Sequence, residues 1–274
     1  MAADPRALLV ILAAAALGPP FAYAQEAPAG DASADELAKQ LSNPVAALIS
    51  VPLQLNYDDG YGVGGEGERY TLNVQPVVPI SLNEDWNVIS RTILPVIHQD
   101  DLVPGDSSSG IGDITQSLFF SPKQPTASGG IIGAGPAFLL PTASEDELGT
   151  GQWAIGPTIV ALKQTEGGIT YGALWNYLIS VAGNDDRAEV NSTFFQPFLA
   201  KAYPGGRTAT INLESSYDFE GKHWNVPVNL VYSKVTKLGN QMVSFAGGAR
   251  YYLETPPGGP DWGLRFVVTM LFPT

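Results

Sequence analysis

The chain has 274 residues, including 30 Gly and 22 Pro, and is 45% hydrophobic but only 15% charged, which argues against disorder. A formal net charge of −13 argues against nucleic acid as a partner, because nothing here replaces the counterions of a phosphate backbone. Cys is absent, so disulfides, thiolate metal sites and thiol nucleophiles are excluded, as suits a chain that crosses an oxidising compartment.

The N-terminus reads as an export signal. Arg6 precedes the apolar run Ala7–Leu17, and Ala22-Tyr23-Ala24 forms an A-x-A cleavage site before Gln25. The run is short for a membrane anchor, and no Cys follows the cleavage site to carry lipid. Residues 1–24 are therefore expected to be a signal peptide. Residues 25–44 form an Ala/Gly/Pro-rich lead with a short helix over Asp35–Leu41, which Pro44 ends. No later apolar stretch is long enough for a transmembrane helix, so a membrane protein made from residues 45–274 has to be a closed β-barrel.

From residue 45 onward apolar and polar residues alternate in segments of about ten, broken by Gly, Pro, Asn and Asp. Ile49, Val51, Leu53, Leu55 and Tyr57 oppose Ser50, Gln54 and Asn56. Tyr70, Leu72, Val74, Val78 and Ile80 oppose Thr71, Asn73, Gln75 and Ser81. Ile211, Leu213, Tyr217 and Phe219 oppose Thr210, Asn212, Glu214 and Asp218. Trp224, Val226, Val228, Leu230 and Tyr232 oppose Asn225, Asn229 and Ser233, and Trp262 to Phe272 repeats the pattern around Arg265 and Thr269. Further strands, several with blurred alternation, are expected near Trp86–His98, Ile111–Ser121, Gly130–Leu140, Trp153–Lys163, Ile169–Val181, Asn191–Tyr203 and Met242–Leu253. The total is about twelve, within the range of single-chain outer-membrane barrels. A soluble β-sandwich has the same period of two, so periodicity alone leaves both architectures open.

Two further patterns favour the membrane. Aromatics such as Tyr57, Tyr70, Trp153, Tyr171, Trp224, Tyr251, Trp262 and Phe272 stand near the ends of the apolar faces, where lipid–water interfaces select them. With the N-terminus in the periplasm, the connections expected outside ("DDGYGVGGEGER", "QDDLVPGDSSSG", "TASEDELGTG", "AGNDDRAE", "FEGKH", "ETPPGGPD") are long and acidic. Those expected inside are mostly shorter and hold several of the few cations. Prolines at 52, 76, 79, 95, 157, 197 and 227 count against a regular barrel, since each removes a ladder donor.

The stretch "SSSGIGDITQSLFFSP" invites a phosphate-loop reading at Gly110-Ile-Gly112-Asp113. Such a loop needs a helix N-terminus after it, whereas Ile114–Phe120 reads as a strand and Thr115 stands at the third glycine position. A lumen-facing Asp113 is preferred, with no cofactor. The mid-strand charges Arg91, Glu214, Arg250 and Arg265 should also point inward, because each is costly in lipid. The expected lumen lining is Asn73, Gln75, Arg91, Asp113, Thr115, Asn176, Asn212, Glu214, Asn229, Arg250 and Arg265. Two readings of these charges stand side by side: a selective pathway, or a salt-bridge network that plugs the barrel. The 35–41 segment is a candidate part of such a block. His98, followed by Asp100 and Asp101, permits a surface Asp/His hydrolase. With no G-x-S-x-G motif, a polar interfacial residue is the preferred reading. Glu145-Asp146-Glu147 lacks EF-hand spacing, and its expected partners are solvent and, through divalent cations, lipopolysaccharide.

The stretches "LSNPVAALISVPLQLNYD", "GIGDITQSLFFSPK", "GPAFLLPTA", "YGALWNYLISVAG", "NSTFFQPFLA", "TINLESSYDFEGKHWNVPVNL" and "GLRFVVTMLFPT" together resemble a bacterial family of exported proteins. That family carries the labels phenol-degradation meta-pathway protein or transporter, and the misleading label neuromedin U. The resemblance implies an outer-membrane β-barrel with a transport role; it supplies no agreed substrate and no catalytic residues, and only the family label points to small hydrophobic or aromatic molecules. The expectation is an all-β, antiparallel outer-membrane barrel of about twelve strands with a short N-terminal helix. It acts as a passive channel rather than an enzyme, with a closed structural barrel as the rival.

Overall fold

A computed structural model describes residues 33–273. The expected signal peptide and the lead up to residue 32 lie outside the described residues. Ser33 opens helix α1, Ala34–Leu41, by accepting the Glu36 N–H at 3.2 Å. Asp35 and Glu36 in its first turn and Lys39 in its last complement the helix dipole. No helix among the described residues is long and apolar enough to cross a membrane.

From Ile49 onward the chain builds a closed antiparallel barrel of twelve strands. They are β1 (Ile49–Tyr61), β2 (Gly67–Val74 with Val77–Ser81), β3 (Trp86–Asp100), β4 (Ser107–Ile111 with Ile114–Pro122), β5 (Gly130–Leu140) and β6 (Gln152–Gln164). The second half comprises β7 (Ile169–Gly183), β8 (Asn191–Tyr203), β9 (Arg207–Leu213 with Ser215–Asp218), β10 (His223–Asn225 with Pro227–Leu238), β11 (Gln241–Tyr252) and β12 (Trp262–Phe272). Each strand pairs with its neighbours in sequence. The ring closes where β1 meets β12, from Ile49 opposite Phe272 to Asp59 opposite Trp262. Closure leaves no free edge for another chain to extend.

The period of two sorts the wall. On β6, Ile159 is 46% exposed on the outside while its neighbour Val160 is fully buried inside. Phe266, Leu230, Leu199 and Phe195 continue the outer apolar band, an extent of bare hydrocarbon that water-soluble sheets avoid. Aromatic clusters rim this band at one end, with Tyr57 4.9 Å from Tyr70 and 5.9 Å from Trp262, and Tyr217 4.9 Å from Trp224. Trp86, Tyr171, Tyr203 and Phe272 stand exposed near the other end.

The prolines fall where the ladder is interrupted. Pro76 separates the two segments of β2, Pro227 begins the second segment of β10, and Pro136 and Pro157 face each other across β5 and β6. The outer connections are shorter than their composition suggests. β1 runs on to Tyr61 and β2 starts at Gly67, so Asp58 and Arg69 belong to the wall rather than to a loop.

The inner face departs from the expectation of enclosed amides and ions. Near the end that holds turns 165–168 and 204–206, it is apolar. Ile89, Phe119, Val160, Leu162 and Leu174 form one buried cluster around Val45, and Val235 and Leu271 form another around Leu37, Ala38 and Leu48. These clusters explain the blurred alternation of β3, β4, β6 and β7. Those strands carry apolar side chains on both faces because the inner face packs against protein.

Candidate functional site: a plugged lumen

The packing partner is the segment from α1 to Leu48, which enters the lumen before β1 begins. Its hold has two parts. Polar ties anchor the helix: the Gly206 N–H donates to the Asp35 carboxylate, and Gln164 Nε2 donates to the Lys39 carbonyl at 2.8 Å. Apolar insertion does the rest, with Leu37 fully buried, Leu48 3% exposed and Val45 6% exposed. Each such side chain contributes about 1.5–3 kcal/mol by leaving water. Asn43 shapes the turn by accepting the Val45 N–H at 3.0 Å.

Past the plug lies a cavity of about 280 Å³, bounded by plug residues such as Leu41 and Leu48 and by wall residues including Gln75, Arg91, Leu174, Phe198 and Asn212. Beyond it a charged network crosses the lumen. Arg265 presents two N–H groups to the Glu214 carboxylate, both at 2.8 Å, and its Nε donates to Asn56 at 2.8 Å. Arg250 bonds Asp58 at 3.1 Å and approaches Glu214 at 3.8 Å, while the Tyr252 hydroxyl donates to Asp58 at 2.8 Å. Glu214 reaches this network because it occupies the interruption between the two segments of β9. Parallel forked contacts of this kind are the strongest form of Arg–carboxylate pairing.

The expected lining residues separate into groups. Glu214, Arg250 and Arg265 meet in the network. Gln75 and Arg91 meet at the cavity, where Arg91 donates to Gln75 at 3.2 Å. Asn229 donates to Asn212 at 2.9 Å; Asn229 is fully buried and its own Oδ1 has no partner. Asn73 lies opposite Gln54, Thr115 opposite Ile93 and Asn176 opposite Thr158, all on the inner face. Asp113 does something else. It sits between the segments of β4 and accepts from the Thr150 N–H and hydroxyl at 2.6 and 2.7 Å and from the Ala143 N–H at 3.2 Å, tying down loop 141–151.

The sequence reading missed Asp58, Arg69 and Tyr252. The signal for Asp58 was present, since it continues the inner series Ser50, Gln54, Asn56. Tyr252 was masked by its outward neighbour Tyr251. Arg69 donates twice to Gln99, at 3.0 and 2.7 Å, and lies over the Tyr61 ring.

On the outer face, His98 stands at the end of β3 directly opposite Ser109. Its Nδ1 is 2.6 Å from the Ser109 hydroxyl and its Nε2 2.8 Å from Asp100. His223 approaches Asp218 at 3.8 Å.

No protein-family model and no curated protein matches the chain. Solved structures do. The COG4313 outer membrane channel from Pseudomonas putida F1 aligns over 82% of this chain and 96% of its own, with 13% identity and a TM-score of 0.65. The Salmonella typhi outer membrane phospholipase aligns over 88% and 99%, with 11% identity and a TM-score of 0.43. A Pseudomonas aeruginosa FadL homologue aligns over 84% and 91%, with 9% identity and a TM-score of 0.38. At these identities a likeness speaks to fold alone, and the first of them carries it: this chain has the fold of an outer-membrane β-barrel.

Proposed function

We propose that this protein is an outer-membrane channel for small, largely apolar molecules, exported by the signal at residues 1–24 and held closed at rest by the segment from α1 to Leu48. One observation carries the reading. The plug is held by side-chain packing and a few hydrogen bonds, with no strand pairing to the wall, so it can leave while the barrel stays intact. Its departure uncovers Ile89, Phe119, Val160, Leu162 and Leu174, an apolar inner surface suited to permeants poor in hydrogen-bonding groups. The outer band meets lipid, and exposed acids such as Asp146 meet lipopolysaccharide through divalent cations. In planar bilayers the full chain should show a low, intermittent conductance that rises at least tenfold when residues 33–47 are deleted. A folded barrel that stays sealed at all voltages after the deletion excludes the channel reading and leaves a closed structural barrel.

A second reading is favoured by the contact of Ser109, His98 and Asp100 on the outer wall. That order of hydroxyl, imidazole and carboxylate is the arrangement by which a serine attacks an ester, with the histidine as base and the acid orienting it. An active-site-directed fluorophosphonate should then label the wild type at Ser109 and fail to label the His98→Ala variant. No labelling of the wild type removes the hydrolase reading.

A further inference from the structure

The middle of the lumen holds more cations than its acids match. Two carboxylates, Asp58 and Glu214, face four guanidinium groups, Arg69, Arg91, Arg250 and Arg265. Both acids are already engaged: Asp58 by Arg250 and Tyr252, Glu214 by Arg265 on both oxygens. Arg69 is shared between Gln99 and the Tyr61 ring. Arg91 is different. Among the described residues its side chain makes one hydrogen bond, at 3.2 Å, to the neutral side chain of Gln75, and no ion pair within 4 Å, although Glu214 lies near enough to act on its charge. Among the described residues its remaining N–H groups have no other hydrogen-bond partner, and they are not sealed off by the surrounding protein. They border the cavity of about 280 Å³.

A guanidinium with spare donors beside a cavity is an anion site when the rest of the wall suits the anion. Here Gln196 and Asn212 add polar groups, and Leu174, Phe198 and Val77 add apolar ones, with Gln196 paired to Leu174 and Asn212 to Phe198 across neighbouring strands. Arg69 does not line the cavity, so the unmatched charge there is that of Arg91 alone. A dianion would place its second charge near Glu214, whereas a neutral alcohol would leave the guanidinium uncompensated. The cavity lies just below the range of ~300–1,000 Å³ usual for small-ligand sites, which limits the occupant's size.

We propose that this cavity is a binding subsite for a small monocarboxylate with an apolar body, its carboxylate on the fork of Arg91 and its body against Leu174 and Phe198. The subsite rests on the channel reading in that it lies on the path the plug closes. The occupant touches plug residues as well as wall, so it competes with the plug for the same space.

Titration calorimetry on the full chain in detergent tests it, with benzoate, benzyl alcohol and inorganic phosphate as probes. Benzoate should bind at least tenfold more tightly than benzyl alcohol or phosphate. Arg91→Gln should weaken benzoate at least tenfold and leave benzyl alcohol unchanged, in protein whose heat-modifiable migration shows a folded barrel. Arg91→Lys, which keeps the charge but loses the fork, should fall between. Equal binding of benzoate and benzyl alcohol by the wild type overturns the proposal, as does phosphate matching benzoate, or benzoate binding unchanged in Arg91→Gln. Binding is read without conduction, so the two ideas fail separately. A sealed barrel that binds benzoate through Arg91 sinks only the channel, and a conducting barrel indifferent to Arg91→Gln sinks only the subsite.

Discussion

A disulfide between positions 45 and 133 should shut the lumen, and reducing it should reopen the channel. Gly133 lies on the inner face of β5 opposite Val160, and a Cβ built there comes within 3.2 Å of Val45 Cγ1. A cysteine sulfur at 45 can occupy that Cγ1 position, and disulfide-bonded Cβ atoms sit about 3.8 Å apart, so the Val45→Cys/Gly133→Cys pair needs little movement of the backbone. The new Cβ also meets Val160 at 3.2 Å and Phe119 at 3.3 Å, so those neighbours must give by a few tenths of an ångström, and Gly133→Cys alone is the control for that crowding. The chain has no other Cys to mispair. Oxidised protein in a planar bilayer should conduct at least tenfold less than the same protein after reductant. Equal currents in the two states would show that the segment around Val45 does not gate the path.

The second large effect belongs to the charged network. Glu214→Gln should destabilise the barrel by about 3–5 kcal/mol, the range for removing one partner of a buried ion pair. The reason is what remains. Arg265 is 5% exposed and Arg250 9% exposed, so neither recovers hydration when the carboxylate they share is lost. Asp58, already bonded to Arg250 and Tyr252, is the one acid left to offset both. Urea unfolding in detergent, followed by the shift in gel migration, measures the loss. The paired replacement Glu214→Leu with Arg265→Leu should cost less than the sum of the two single changes, because it leaves no orphaned partner. A loss under about 1 kcal/mol for Glu214→Gln would mean that water reaches the network and screens it.

This network also separates what was legible from what was not. The inward direction of Glu214, Arg250 and Arg265 follows from their places in alternating strands. Their meeting does not. Glu214 and Arg265 are 51 residues apart, and Asp58 and Arg250 are 192 apart. Asp58 joins Arg250 only because β1 and β12 close the ring. Asp113 shows the opposite limit. Its strand parity suggested a lumen group, but an interruption at Gly112 frees it to hold a loop, a choice made by its neighbours in space.

Strand existence, the two faces of the clearly alternating strands and the helix near residues 35–41 are local properties. Each rests on a period of two or of 3.6 over a few residues, or on turn chemistry, so the amino-acid order by itself settled them. The plug, the cavity and the pairing of lumen charges depend on register and closure, which join residues far apart in the chain. The blurred strands β3, β4, β6 and β7 are where the two levels meet. Read alone they looked like weak alternation; in the folded barrel their second apolar row is the seat into which Val45 packs. Periodicity reports how many faces of a strand avoid water, and only the assembled barrel decides whether lipid or a folded-in segment covers each of them.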